Sequence, residues 1–196
     1  LLIVAMGAWR ASRERSYEAA AAAERQHELY ERMGELVRID PATGGHKLLA
    51  DGLGGSSSLE VTSDAVWLGG PDGVAKLDPR TGQELGRTSV EQVRESRTTS
   101  IAVGEDAVWF VGESSTRLWR IHPRSVLVVD SDPVGASPSA VAVDEDGAVW
   151  VASSELTSLA RLKSSNDVES VEVGATSLGL VSGFGRIWTS PGTAAG

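Results

Sequence analysis

The sequence of 196 residues contains no cysteine, which excludes disulfide frameworks, thiolate zinc sites and cysteine nucleophiles. Basic residues are scarce as well: 18 Lys and Arg stand against 27 Asp and Glu, and the formal net charge is −9. This balance argues against a DNA- or RNA-binding surface, because such surfaces bind phosphates through Lys and Arg. The remaining composition, 41% hydrophobic and 23% charged, is typical of a globular chain that buries a core.

The chain opens with nine apolar residues, 1–9, that end at Trp9 and are followed by Arg10. A membrane-spanning helix needs roughly 20 apolar residues, so this run is too short to cross a bilayer. Because Trp and Arg favour the membrane interface, we interpret residues 1–9 as the end of a transmembrane helix. An amphipathic leader or a core segment is the alternative, and the orientation in the membrane stays open.

Residues 10–34 are predicted to form an α-helix that serves as a stalk or linker. Ala19 to Ala23 are five strong helix formers in succession, and neither Pro nor Gly interrupts the segment before Gly34. Large apolar residues are few, so the stripe that could face a core is thin. A packed helix or a signalling coiled coil is the alternative to a solvated stalk.

Aromatic residues make up only 5% of the chain, but six of the ten are tryptophan. Four of these recur at spacings of 42, 41 and 38 residues: Trp67, Trp109, Trp150 and Trp188. Three of them end the phrase Ala-Val-Trp, and short apolar runs joined by acidic or glycine turns precede them. Such turns supply residues that tolerate tight backbone angles, so each phrase predicts a β-hairpin.

A second phrase begins 9 to 11 residues after Trp67, Trp109 and Trp150, as in 76–82 (Lys-Leu-Asp-Pro-Arg-Thr-Gly) and 120–124 (Arg-Ile-His-Pro-Arg). An earlier copy occupies residues 38–44. Asp, Pro and Gly at these positions favour a turn, and another strand follows the turn. One unit therefore contains four short strands, A to D, in about 40 residues, which is the signature of a β-propeller blade.

The sequence thus predicts an all-β fold, a β-propeller of four-stranded antiparallel blades, preceded by the α-helix. Complete blade units are predicted at 58–97, 98–138 and 139–176, with partial units at 35–57 and 177–196. The two partial units are complementary, so they could form one composite blade and give four blades in all. Alternatively, the chain is a fragment of a ring of six to eight blades. The recurring tryptophans are expected to pack between blades, so that Trp109→Ala or Trp150→Ala would be among the most damaging changes.

The repeated phrases at 100–109, 38–44 and 134–138 resemble the YVTN and NHL-like β-propeller repeats, which are related in style to the streptogramin B lyase propeller. The resemblance covers about 160 residues. It implies a ring with ligand or partner binding at one mouth of its channel, formed by the D-to-A and B-to-C loops. It also implies an actinobacterial, membrane-anchored type of protein with a fused regulatory domain.

Within the mouth that the resemblance implies, the loop at 94–99 is the longest between complete units, and long loops often carry binding residues. Arginines and hydroxyl groups there would suit a polar or anionic ligand, or a peptide. The predicted ligand- or partner-binding residues are Arg94, Arg97, Ser57, Ser58, Thr98 and Ser137.

No catalytic constellation is visible in the sequence. The resemblance associates lyase chemistry with a histidine near a divalent metal, but His27 lies in the stalk, and neither His46 nor His122 has a second ligand at helical or hairpin spacing. No metal site and no cofactor are therefore predicted.

The function predicted from the sequence is a non-enzymatic sensor or interaction module that is membrane-anchored, with an extracytoplasmic propeller. Its partner is expected to be a protein or a small polar ligand, not a nucleic acid. The alternatives are a cytoplasmic scaffold propeller of a regulatory ATPase or transcriptional regulator, and a streptogramin lyase-like enzyme.

Overall fold

The computed structural model describes residues 34–51, 53, 55–71, 73–88, 98–112, 115–164 and 167–192. The predicted membrane segment and helical stalk lie outside these residues. The described part contains sixteen strands and no helix, so nothing in it forms a helix long and apolar enough to cross a membrane.

The chain divides into two compact units, Leu1–Gly55 and Ser56–Gly196. In the first unit, β1 (Leu36–Ile39) and β2 (His46–Ala50) form an antiparallel hairpin. The turn between them is closed by Asp40, whose carboxylate accepts a hydrogen bond of 2.9 Å from the backbone N–H of Ala42. This bond, together with one from Thr43, lowers the pKa of Asp40.

The second unit contains three four-stranded antiparallel sheets and a terminal hairpin, and it confirms the predicted antiparallel blades. In each sheet the strands are paired in chain order, as hairpins with short turns require. The strands of blade 1 are β3 (Ser58–Val61), β4 (Val66–Gly70), β5 (Gly73–Leu77) and β6 (Glu84–Thr88). Blade 2 has β7 (Thr98–Val103), β8 (Val108–Gly112), β9 (Arg117–His122) and β10 (Leu127–Pro133); blade 3 has β11 (Pro138–Val143), β12 (Val149–Ser153), β13 (Ser158–Ser164) and β14 (Asp167–Glu172); the terminal hairpin has β15 (Ser177–Gly183) and β16 (Arg186–Pro191).

The apolar core lies between successive sheets of the second unit. One cluster joins blade 1 to blade 2 and includes Trp67, Phe110 and Trp119. A second joins blade 2 to blade 3, and a third joins blade 3 to the terminal hairpin. Because each blade has apolar side chains on both faces, it removes them from water only by packing between neighbours.

The four recurring tryptophans are not equally buried. Trp67 is 1% exposed, whereas Trp188 is 55% exposed. Trp109 and Trp150 are half-buried and pack at the edges of the second and third clusters. The expectation that all four pack between blades therefore does not hold for Trp188, because no sheet of the described residues covers the face of β16 that carries it. Trp119, which does not belong to the recurring phrase, is buried as well, and its ring stacks on Phe110 with centroids 6.3 Å apart.

The first strands of successive sheets pack side by side, β3 on β7, β7 on β11 and β11 on β15. Gly69 permits the close approach of blade 1 to blade 2. A Cβ atom at this position would lie 2.6 Å from Cγ2 of Thr98 and 2.9 Å from Cδ1 of Ile101. These distances are too short for any side chain unless the side chains of Thr98 and Ile101 shift.

Candidate functional site

The candidate site is the mouth, the end of the sheets at which the D-to-A and B-to-C loops lie. Antiparallel pairing in chain order brings these two kinds of loop to one end of each blade and leaves the A-to-B and C-to-D turns at the other. In blade 3 the mouth consists of residues 134–137, which precede β11, and residues 154–157, which connect β12 to β13.

The two mouth loops of blade 3 are tied together by hydrogen bonds. The Ser137 hydroxyl donates to Oε1 of Glu155 at 2.5 Å, and the Ser153 hydroxyl donates to the carbonyl of Ala136 at 2.7 Å. The backbone N–H of Ser154 donates to the carbonyl of Ser137 at 3.0 Å. Ser137 has a φ of 45°, which L-residues adopt rarely. These contacts hold a strained backbone in place and leave Glu155 exposed at the mouth.

Ser57, Ser58 and Thr98 are brought together at the junction of blade 1 and blade 2. The Ser57 hydroxyl donates to the carbonyl of Thr98 at 2.5 Å, and the Ser58 hydroxyl accepts from the N–H of Ile101 at 2.9 Å. Thr98 is fully buried. The hydroxyl groups of Ser57 and Ser58 therefore join neighbouring sheets. Ligand binding by Ser57, Ser58 and Thr98 stays a prediction.

The same bonds recur at the next junctions. The hydroxyl of Ser100 accepts from the N–H of Val141 at 3.1 Å, and that of Ser139 donates to the carbonyl of Ser177 at 2.6 Å. Backbone groups at the free edge of a first strand need partners, because an unpaired buried N–H or C=O costs free energy. The serines at these positions supply those partners.

The arginines predicted for the mouth, Arg94 and Arg97, lie outside the described residues, so their role stays a prediction. Sequence reasoning missed another arginine at this end, Arg117, which begins β9 directly after a B-to-C loop. Its Nε donates to the Ser131 hydroxyl at 2.8 Å, and its guanidinium also contacts the Ser131 carbonyl. Its position at the first residue after a mouth loop was the signal that could have found it.

His122 closes the turn between β9 and β10. Its Nδ1 accepts hydrogen bonds of 3.3 Å from the backbone N–H groups of Arg124 and Ser125. Asp78 does the same in blade 1, where its carboxylate accepts from Thr81 at 2.7 Å and from Arg80 at 2.9 Å. These N–H groups lower the pKa of Asp78. His122 thus replaces a turn-capping aspartate at the end of the sheet opposite to the mouth.

A metal centre would need several ligating side chains around one point. Within the part of the chain that the structure describes, no three His, Asp or Glu side chains are grouped in a way that could hold a metal ion. In the acidic A-to-B turn of blade 3, the Asp144 carboxylate accepts from the N–H groups of Asp146 and Ala148 and from Nε1 of Trp150, at 2.8–3.0 Å.

Solved structures of streptogramin-type lyases are similar to the chain in fold. A streptogramin B lyase superposes with a TM-score of 0.70 at 18% identity, over 82% of this chain and 56% of that one. A catalytically inactive virginiamycin B lyase from Staphylococcus aureus, solved with quinupristin, gives 0.67 at 20% identity, over 81% of this chain and 56% of that one. Hydrazine synthase from Kuenenia stuttgartiensis gives 0.64 at 16% identity, over 72% and 43%.

At these identities the similarity establishes the fold alone. The four-stranded sheets are the blades of a β-propeller, and lyase propellers are among their structural neighbours. The chain spans little more than half the length of the two lyases. No protein-family profile matches the sequence, and no curated protein matches it significantly.

Proposed function

We propose that this propeller is a non-enzymatic binding module that recognises a small polar ligand or a segment of a partner protein at the mouth. The main support for the proposal is the mouth of blade 3, where the hydrogen bond between Ser137 and Glu155 holds two loops in one fixed arrangement. Preorganised loops lose little conformational freedom on binding. Arg94, Arg97 and Arg117 would supply the charge-assisted hydrogen bonds.

The test is a thermal-shift screen of dicarboxylates, phosphate esters and acidic peptides on the full chain. A hit should bind at least 10-fold more weakly to the Arg94→Ala/Arg97→Ala variant, because each hydrogen bond to a charged group contributes about 1.5–3 kcal/mol. Arg38→Ala, on the exposed β1 strand, is the matched control and should leave the affinity unchanged. Equal affinity of the parent and the double variant would remove the mouth arginines from the site.

Membrane attachment through residues 1–9 and 10–34, with the propeller outside the cytoplasm, is part of the same proposal. The absence of cysteine permits a direct test, because Ser154→Cys at the exposed mouth creates a single thiol. A membrane-impermeant maleimide should label this thiol on intact cells. Labelling only after the cells are permeabilised would instead support the cytoplasmic scaffold of a regulatory protein.

A lyase-like activity is the second candidate, and the similarity to streptogramin-type lyases favours it. Incubation with quinupristin and a divalent cation, followed by chromatography for loss of the intact compound, tests this activity directly. His46→Ala and His122→Ala should abolish turnover if either imidazole is catalytic. Turnover that survives both changes would require other groups, and no turnover at all would remove this candidate.

A further inference from the structure

The C-to-D turn of blade 2, residues 122–126, is also a contact between blade 2 and blade 1. Its Pro123 carbonyl accepts a hydrogen bond of 3.1 Å from Nζ of Lys76, which lies on β5 of blade 1. Val126 is buried and belongs to the cluster shared by the two blades. A Cβ atom at Gly86, on β6, would lie 3.0 Å from Cγ2 of Val126, so the absence of a side chain on blade 1 makes room for this valine. The conformation of the turn and the packing of the junction are therefore linked.

The backbone of the turn is strained at Val126, which has a φ of 55°. A β-branched residue keeps this left-handed conformation only where surrounding contacts hold it. One such contact is the packing against Gly86. The other is a hydrogen bond of 2.9 Å from the N–H of Val126 to the carbonyl of His122. The closed turn thus stores strain that the loss of its hydrogen bonds would release.

His122 holds the rest of the turn as a hydrogen-bond acceptor. Its Nδ1 accepts from the N–H groups of Arg124 and Ser125, each at 3.3 Å, and the Ser125 hydroxyl lies at the same distance. A backbone N–H can only donate, so Nδ1 carries no proton in this arrangement. The His122 side chain is exposed, and an imidazole titrates between about pH 5 and 8. Both of its nitrogens are donors once it is protonated, so a protonated His122 no longer caps the turn.

The charges around the turn offer a protonated His122 no carboxylate of its own. The described charged residues of the turn and of the facing parts of its neighbouring strands are Lys76 on β5, Glu84 and Arg87 on β6, Arg120 on β9, Asp130 on β10 and Arg124 in the turn. Glu84 pairs with Arg87 at 2.6 Å, and Asp130 lies opposite Arg120 in the strand pairing. Lys76 pairs with Asp64 at 3.4 Å. Protonation would therefore add a positive charge beside Arg124.

We propose that the turn at 122–126 is a proton-sensitive joint between blades 1 and 2. With His122 neutral, the turn is closed on blade 1. When His122 takes up a proton, two backbone N–H groups lose their acceptor, the strain at Val126 is released, and its side chain leaves the shared cluster. The equivalent turn of blade 1 does not respond. Its cap is Asp78, whose lowered pKa keeps the carboxylate ionised over the same pH range.

Hydrogen exchange of the full chain, followed by mass spectrometry and corrected for the intrinsic pH dependence of exchange, tests the joint between about pH 7.5 and 5.5. The protection of the N–H groups at 124–126 should fall about 10-fold in this range, because two hydrogen bonds are lost. The turn at 78–82 is the internal control and should keep its protection. His122→Asn retains an acceptor but gains no proton, so both turns of this variant should keep their protection.

His46→Asn is the matched control in the protein, because it removes an imidazole from strand β2 and should leave the fall at 124–126 as in the parent chain. Thermal midpoints at pH 7.5 establish that each variant is folded. Constant protection of 124–126 in the parent would overturn the proposal. A fall of the same size in His122→Asn would assign the effect to another group and also overturn it. An equal fall at 78–82 would mean that the sheets loosen together, with no joint at blade 2.

Discussion

The junction between blades 1 and 2 and the junction between blade 3 and the terminal hairpin share one backbone arrangement but differ in their side chains. The first buries Trp67, Phe110 and Trp119. The second relies on three alanines, Ala140, Ala142 and Ala152, together with two leucines. The repeated strands therefore determine how the sheets stack, whereas the size of the side chains at each junction determines how much apolar surface that stacking removes from water.

The buried side chains thus become smaller toward the terminal hairpin, and the hairpin itself has an exposed apolar surface. Leu178, Val181 and Trp188 are exposed on the strands of the hairpin, and Phe184 is exposed in its turn. Exposed apolar side chains on one sheet are typical of a surface that contacts a further element. Among the described residues, the tryptophans of blades 1 to 3 therefore pack between sheets, whereas Trp188 does not.

Substitution of the recurring tryptophans by alanine should show the difference between buried and exposed positions most strongly, as a loss of unfolding free energy. We expect Trp67→Ala to lower the free energy of unfolding by about 3–5 kcal/mol, because it leaves a large cavity in the first cluster. Trp188→Ala should cost less than about 1 kcal/mol, since more than half of this side chain is already in water. Urea denaturation of the two variants measures both values.

Trp109→Ala and Trp150→Ala complete the series, and their half-buried side chains predict intermediate losses. The sequence interpretation placed these two among the most damaging changes. A loss for Trp188→Ala as large as that for Trp67→Ala would mean that the exposed face of the hairpin is covered in solution.

The serines that connect neighbouring first strands provide the next test. Ser58→Ala and Ser100→Ala each remove the acceptor of a backbone N–H in the following blade, so each should cost about 1 kcal/mol. Ala140 occupies the equivalent position in blade 3. Ala140→Ser should therefore be tolerated, because its hydroxyl could accept from the N–H of Leu180, which occupies the position of Val141.

Ser63→Ala, at an exposed turn position, is the control for these serine substitutions and should leave the thermal midpoint unchanged. A midpoint for Ser58→Ala equal to that of the parent would argue that water replaces the lost acceptor. The hydrogen bond would then contribute nothing to the junction.

The fold was predictable because its signal is repeated. The Ala-Val-Trp phrases and the Asp-Pro turns recur with one spacing, so errors in single strands do not change the number of strands per unit. Burial was harder to predict, since the same phrase ends in Trp67 and in the half-buried Trp150. Exposure depends on the neighbouring sheet, and no local pattern encodes that neighbour.

The site was less predictable than the fold, because Ser and Thr serve both turns and ligands. Ligand binding by Ser57 and Ser58 stays a prediction, and the structure adds that their hydroxyls contact the following blade. Such a contact joins residues about 40 positions apart, so it became visible only once the sheets were stacked. Glu155 was missed as a partner of Ser137 for the same reason: the two lie in different loops.

The contribution of Glu60, in blade 1, to stability should depend on pH in the opposite sense to that of the turn aspartates. Burial raises the pKa of Glu60, so its charged form is disfavoured in the folded chain. Glu60→Gln should therefore stabilise the chain at pH 7, by no more than about 0.5 kcal/mol because the side chain is partly solvated. The gain should vanish as the pH falls through the raised pKa toward the ordinary value, where the parent carboxyl is neutral in both states.

Asp78→Asn should change stability in the opposite direction to Glu60→Gln, because the pKa of Asp78 is lowered in the folded chain. The stabilising contribution of the Asp78 carboxylate is present above the ordinary carboxyl pKa and is lost as the pH falls through the lowered pKa. Thermal midpoints between pH 3 and 7 measure both trends. A stabilising effect of Glu60→Gln that persists at pH 3 would contradict burial as the cause.

The smallest expected effect concerns the turn of blade 2, where His122 occupies the position that Asp78 has in blade 1. His122→Asp should raise the thermal midpoint at pH 7 by about 1–2 °C, because a carboxylate accepts the N–H groups of Arg124 and Ser125 more strongly than an imidazole nitrogen does. His46→Asp makes the same change of charge in strand β2 and should bring no gain. If both variants gave the same shift, the effect would come from net charge, and the turn of blade 2 would not depend on the capping side chain as the turn of blade 1 does.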